Sequence, residues 1–176
     1  MCVLGKNSRG FSLVDMVVYV GVVALHASVL AAPPLPLARA YGDLAVSRDV
    51  NASAYAALDR FVREARAADA VVTGSSVLGV HPGSITFTKT DANGVASNVQ
   101  FSLVGGTLHL TEGGVDLGPL THSSVTVENL IFRYAASGSG KMASVEMTLS
   151  GERGRAVKVA PFSAGAVLRG SYSGSL

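Results

Sequence analysis

The chain has 176 residues, a net charge of +2, 48% apolar residues and 15% charged ones, a balance that suits one modest domain plus a lipid-facing segment. The lysines and arginines are dispersed, with no basic stripe able to neutralise several phosphates at once, which excludes a nucleic-acid-binding role. The single cysteine, Cys2, excludes an internal disulfide and stands too near the start to follow a secretory apolar core, so no lipoprotein anchor is expected.

The first predicted element is the apolar run from Phe11 to Ala32, about the twenty residues a helix needs to cross a bilayer and longer than the core of an ordinary signal peptide. Lys6 and Arg9 precede it, so the positive-inside rule holds the N-terminus in the cytoplasm and predicts export of everything past Pro34. Asp15 lies inside this run, and a carboxylate near a membrane centre costs roughly 2.5–3.5 kcal/mol on insertion. Ser12, Asp15, Tyr19 and His26 fall on one arc of a helix, which predicts packing against other helices. The plainer alternatives place Asp15 among the headgroups and satisfy His26 with a backbone carbonyl.

The stretch Gly10-Phe11-Ser12-Leu13-Val14-Asp15 resembles the processing site of type IV pilins and of the pseudopilins of type II secretion. The resemblance rests on a short basic leader, a Gly-Phe junction, an acid at the fifth position after it and an uninterrupted apolar helix. It implies that a prepilin peptidase cuts between Gly10 and Phe11, that Phe11 becomes the N-methylated first residue, and that Asp15 pairs with the freed amine of a neighbouring subunit and sets register. Aspartate in place of the family's usual glutamate shortens the reach by one methylene, which fits a minor subunit better than a major one.

Pro33, Pro34 and Pro36 predict a break, kink or short extended linker. A second helix is predicted from about Arg48 to Ala70: Val50, Ala54, Ala57, Leu58, Phe61, Val62, Ala65 and Ala68 form its apolar stripe, with Arg60, Arg63, Glu64 and Arg66 on other faces. That stripe predicts docking on a sheet, with a membrane-surface helix as the alternative.

After Thr73 the period changes to two. "SITFTKT" and "NVQFSLV" flank the hairpin sequence "DANG", and "GTLHLTE", "SVTVENLIFRY" and "ASVEMTLS" follow, separated by glycine pairs and "SGSG". An antiparallel sheet is predicted, its inner face carrying Ile85, Phe87, Phe101, Leu103, Val125, Val127, Leu130, Phe132, Val145 and Met147. The change of face inside "VTVENLIF" calls for a bulge, and Pro161 confines "RAVKVAPFSAGAVLRG" to a sheet edge. The expected fold class is α+β and pilin-like: a long N-terminal transmembrane helix continuing into an amphipathic helix packed on one antiparallel sheet. The expected divisions are a leader (1–10), a transmembrane half-helix with its proline break (11–36), the amphipathic helix (37–70), the β domain (71–170) and a tail (171–176).

No catalytic, cofactor or metal constellation is recognised. His26, His81, His109 and His122 lack ligand spacing, and His109, alternating with Leu108 and Leu110, is expected to face solvent. "GSSVLG" is not a nucleophile elbow. Asp91, Asn93 and Gly94 look like the opening of a calcium loop without its closing glutamate, and a hairpin turn accounts for them.

The order of a membrane helix, a docking helix and a meandering sheet resembles the J class of minor pseudopilins and related minor pilins. The resemblance implies a non-enzymatic subunit of a hetero-oligomeric fibre, anchored singly in the inner membrane before assembly, at or near the tip or priming assembly. Its partners would be other pilins or pseudopilins, a prepilin peptidase and an inner-membrane assembly platform. The alternative is a secreted β-rich binding domain, since "SVLAA" offers signal-peptidase offsets near Ala31 or Ala32.

Overall fold

The computed structural model describes residues 12–31, 34–137 and 140–171. The chain divides into two units, Met1–Tyr41 and Gly42–Leu176. The first holds helix α1 (Leu13–Ala31) and the start of helix α2 (Pro34–Ala67). The second holds the rest of α2 and two antiparallel sheets.

The prolines explain where α2 begins. Helix α1 ends at Ala31 and α2 begins at Pro34, and Pro34 and Pro36 lie in the first turn of α2, where the missing N–H groups have no intrahelical acceptor in any case. The second helix therefore starts well before the Arg48 suggested by its apolar stripe. Val46, Val50, Ala54, Ala57, Phe61, Ala65 and Ala68 are buried at spacings of three and four, so this face is covered by protein rather than lying on a membrane surface.

The first sheet is a meander in the order β1 (Ala70–Val71), β2 (Ile85–Thr90), β3 (Ala96–Val104), β4 (Thr107–Glu112) and β5 (Val115–Pro119). Ile85 opposite Phe101 and Phe101 opposite Leu110 place the apolar rows on one face. The second sheet has the order β6 (Val125–Ser137), β7 (Gly140–Arg153) and β8 (Ala156–Val167). Its register shifts between Val127 and Asn129, which lets both Val127 and Leu130 point inward.

Both sheets and α2 close on a single core. Phe61 of α2 sits 5.8 Å from Phe87, 5.7 Å from Phe101 and 5.7 Å from Phe132, measured between ring centres. It thus touches both sheets. α2 packs closely on Gly151 of β7, where a Cβ would lie 2.7 Å from Val50 Cγ2 and 3.2 Å from Val46 Cγ1. Only glycine lets helix and strand come this near.

The expected fold class is corrected here. The single sheet is replaced by two, because strand periodicity identifies a buried face but not the partner that covers it. Among the described residues no helix is long and apolar enough to cross a membrane. Helix α1, at 19 residues, rises only about 28 Å, and it is interrupted by Asp15, His26 and Ser28. α2, the helix that does pack on the sheets, is not an apolar one. The transmembrane assignment over 11–36, the single-pass anchor and the inner-membrane location accordingly do not stand. Leu103, expected in the core, is only half-buried.

Candidate assembly site on the N-terminal helix

Helix α1 is mostly apolar, with Asp15, Tyr19, His26 and Ser28 set among exposed aliphatic side chains. Its large apolar side chains from Leu13 to Leu25 are all exposed, from 81% at Leu13 down to 48% at Val23. An exposed apolar surface of this extent is the kind that contact with other molecules covers.

The polar groups on α1 are satisfied locally. The Ser12 backbone N–H donates to Asp15 Oδ2 at 3.2 Å, and the Val14 N–H donates to Ser12 Oγ at 3.4 Å. This is a capping box, Ser-x-x-Asp, which starts the helix and quiets two of its orphan donors. Its signature is present in "SLVD", so the box was open to sequence reasoning, which attended only to the charge of Asp15. His26 Nδ1 lies 2.8 Å from the Val22 carbonyl and Ser28 Oγ donates to the Leu25 carbonyl at 2.8 Å. The backbone-carbonyl alternative thus accounts for His26. Gly10 and Phe11, the expected cleavage and methylation positions, lie outside the described residues.

Elsewhere the charged groups serve the fold. Glu64, assigned to an outer face of α2, is in fact buried at 6% exposure. Arg60 meets it at 2.8 Å and Lys89 Nζ at 3.3 Å, and Lys89 also meets Glu112 at 2.5 Å. The cluster ties α2 to β2 and β4. Strand parity held the signal for it, since Ile85, Phe87 and Lys89 share a face. Asp69, just past α2, takes the Arg169 guanidinium at 2.8 Å and the Thr90 N–H at 2.9 Å, which fastens the C-terminal end of the described chain to the helix end.

These pairs give the fold a pH window. The hydrogen bond from Lys89 holds the Glu112 carboxyl below its ordinary 4.5, against the effect of burial. For Lys89, burial opposes the charge, but the hydrogen bonds to Glu112 and Glu64 outweigh it and hold the ammonium above its ordinary 10.5. The Arg169 hydrogen bond likewise holds Asp69 below 3.8. A lowered carboxylate stabilises the fold above its ordinary value and ceases to do so as pH falls through the folded value. A raised ammonium stabilises below its ordinary value and ceases to do so as pH rises through the folded one. Urea midpoints should therefore form a plateau that falls off in acid below about pH 4 and in alkali above about pH 10.5. Lys89→Met, which leaves buried Glu64 short of a partner, should lower the plateau by about 1–3 kcal/mol and make the alkaline decline shallower.

The histidines do not form a site together. His109, expected to face solvent, is half-buried on the outer face of β4, with Nδ1 2.9 Å from Asp116 Oδ2 and Nε2 3.0 Å from Thr107 Oγ1. The Thr107 hydroxyl donates to the Val104 carbonyl at 2.8 Å, so it is held by backbone rather than readied for attack. His81 Nδ1 accepts the Leu130 N–H at 3.0 Å, and the His122 N–H donates to Ser53 Oγ at 3.1 Å. Asp91 Oδ1 accepts the N–H groups of Asn93 and Val95, each at 2.8 Å, which makes the loop a hairpin turn. Among the described residues no group of three or more potential ligands is placed to hold a metal.

No family model, no curated protein and no solved structure matches this chain.

Proposed function

We propose that the chain is a minor subunit of a pilin-type fibre, of a type IV pilus or a type II secretion pseudopilus, in which α1 packs among the corresponding helices of neighbouring subunits. What supports this reading is the helix itself: mostly apolar, exposed from Ser12 to Ser28, and capped at the residue that follows the Gly10-Phe11 junction. Burial of such a helix against like helices removes a large apolar area from water, at about 25 cal/mol per Å². The folded unit over 42–176 then stands as the head that the helix carries. Its partners on this reading are a prepilin peptidase and other pilins or pseudopilins, and its work is mechanical.

The mature N-terminus tests the proposal. Mass spectrometry of protein purified from its own cells should show a chain that starts at Phe11 and carries a methyl group on its amine. A start near Pro33 identifies a secreted β-rich domain released by signal peptidase and overturns the fibre reading. A retained leader overturns it as well.

A further inference from the structure

The two edges of the second sheet, β6 and β8, differ in their cover. β6 carries its outer edge under cover: the Gly79 and Gly83 N–H groups donate to the carbonyls of Phe132 and Leu130, and the Val127 N–H donates to the Gly106 carbonyl. Among the described residues β8 has no such cover. It pairs with β7 from Ala156 to Val167 and has no other neighbour in the sheet.

Pro161 fixes which backbone groups are left over. It lies opposite Thr148 without disturbing the register, so its nitrogen, which has no hydrogen, faces away from β7. By the same parity Val157, Val159, Ser163, Gly165 and Val167 aim their N–H and C=O groups outward. Pro161 removes one donor from that row and leaves the rest open, among the described residues, to a further strand.

The side chains also lack a neighbour. On the inner face of β7, Val145, Met147 and Leu149 are all but fully buried. Their partners on β8, Ala164, Phe162 and Ala160, belong to the same core yet are only half-buried. On the outer face Val157 and Val159 stand 64% and 51% exposed. A strand laid beside β8 would set its apolar residues against the inner row and its polar ones beside the outer row.

Charge identifies the occupant. Arg153, Arg155 and Lys158 lie about the start of β8, all exposed, and among the described residues none is in an ion pair; Glu152 and Asp49 share a pocket with Arg153, at the far side from Lys158 in sequence. We infer that β8 is the docking edge for an extended segment of another polypeptide, one that alternates apolar and polar residues and carries carboxylates at the end lying against Arg155 and Lys158. Antiparallel pairing, used throughout this sheet, puts those carboxylates at the segment's C-terminal end. The inference concerns the second sheet alone and goes beyond the fibre reading.

The test uses the full chain, dispersed in mild detergent, and two synthetic ten-residue peptides of alternating valine and threonine, one ending in two glutamates and the other in two lysines. The glutamate peptide should protect the outward amides of β8 from hydrogen exchange and bind about tenfold tighter than its lysine twin. Arg155→Glu with Lys158→Glu should reverse that order. Ser163→Pro, which removes one outward donor and leaves the β7 ladder intact, should weaken both peptides while unfolding cooperatively as the parent does. Absence of protection on β8, equal binding of the two peptides, or a β8 already protected by a second copy of this chain overturns the inference.

Discussion

Replacing Phe61 with alanine is expected to lower the unfolding free energy by about 3–5 kcal/mol, the usual range for a fully buried phenylalanine. The ring is 1% exposed, and it is the one side chain of α2 whose ring meets Phe87 and Phe101 in the first sheet and Phe132 in the second. Its removal leaves a cavity bounded by two sheets and a helix, three elements that cannot all move inward together. The tilted and edge-on geometries of these pairs are lost as well. Against a typical total stability of about 5–15 kcal/mol, a change of this size brings the head unit close to unfolding at room temperature. Urea titration followed by far-ultraviolet circular dichroism measures it. Phe61→Leu, which retains much of the apolar volume, should cost less. A loss below about 1 kcal/mol in the alanine variant would place Phe61 outside the shared core and contradict this account of how the two sheets are joined.

The part of this architecture that was legible in the sequence is the part set by local period. "SITFTKT" and "NVQFSLV" became β2 and β3, and the face change in "VTVENLIF" became the register shift at Val127/Asn129. The buried rows of Ile85, Phe87 and Phe101 follow from alternation alone. Pro161 marked β8 as an edge because a missing donor is tolerated only there. What stayed hidden depends on contacts between elements distant in the chain. Alternation in β6 to β8 is the same whether they extend the first sheet or form a second one, so the split into two sheets was invisible. β5, "VDLGP", has no inward row to betray it and is held as a strand by pairing with β4. Helix period alone places Glu64 off the apolar stripe and does not show that Lys89, on the inward face of a strand, meets it. The apolar run of α1 read as a membrane span because hydropathy registers the absence of charge without specifying what replaces water around the helix.

Asp15 divides two explanations that the same residue satisfies, and the division gives the second large effect. In the isolated chain its carboxylate accepts the Ser12 N–H and completes a capping box, a role worth about 1 kcal/mol to the helix and available to any side chain with a suitably placed oxygen. In a fibre the same carboxylate would meet the terminal amine of an adjoining subunit, and there a full negative charge is needed, since a buried ammonium without a counter-ion costs several kcal/mol. Asp15→Asn keeps the capping oxygen and discards the charge, whereas Asp15→Ala discards both. If the charge sets the register of assembly, both variants should be processed normally yet be lost from sheared fibres by about tenfold or more, as quantified by immunoblotting against the cell-associated pool. If capping is the whole role, Asp15→Asn should enter fibres as the parent does and only Asp15→Ala should fail. Asp15→Glu adds a methylene and restores the acid usual at this position in the pilins that the junction resembles. Under the pairing account it should enter fibres at least as well as the parent, because a longer reach to the amine costs the neighbour nothing, while the capping box accepts glutamate at this position equally well.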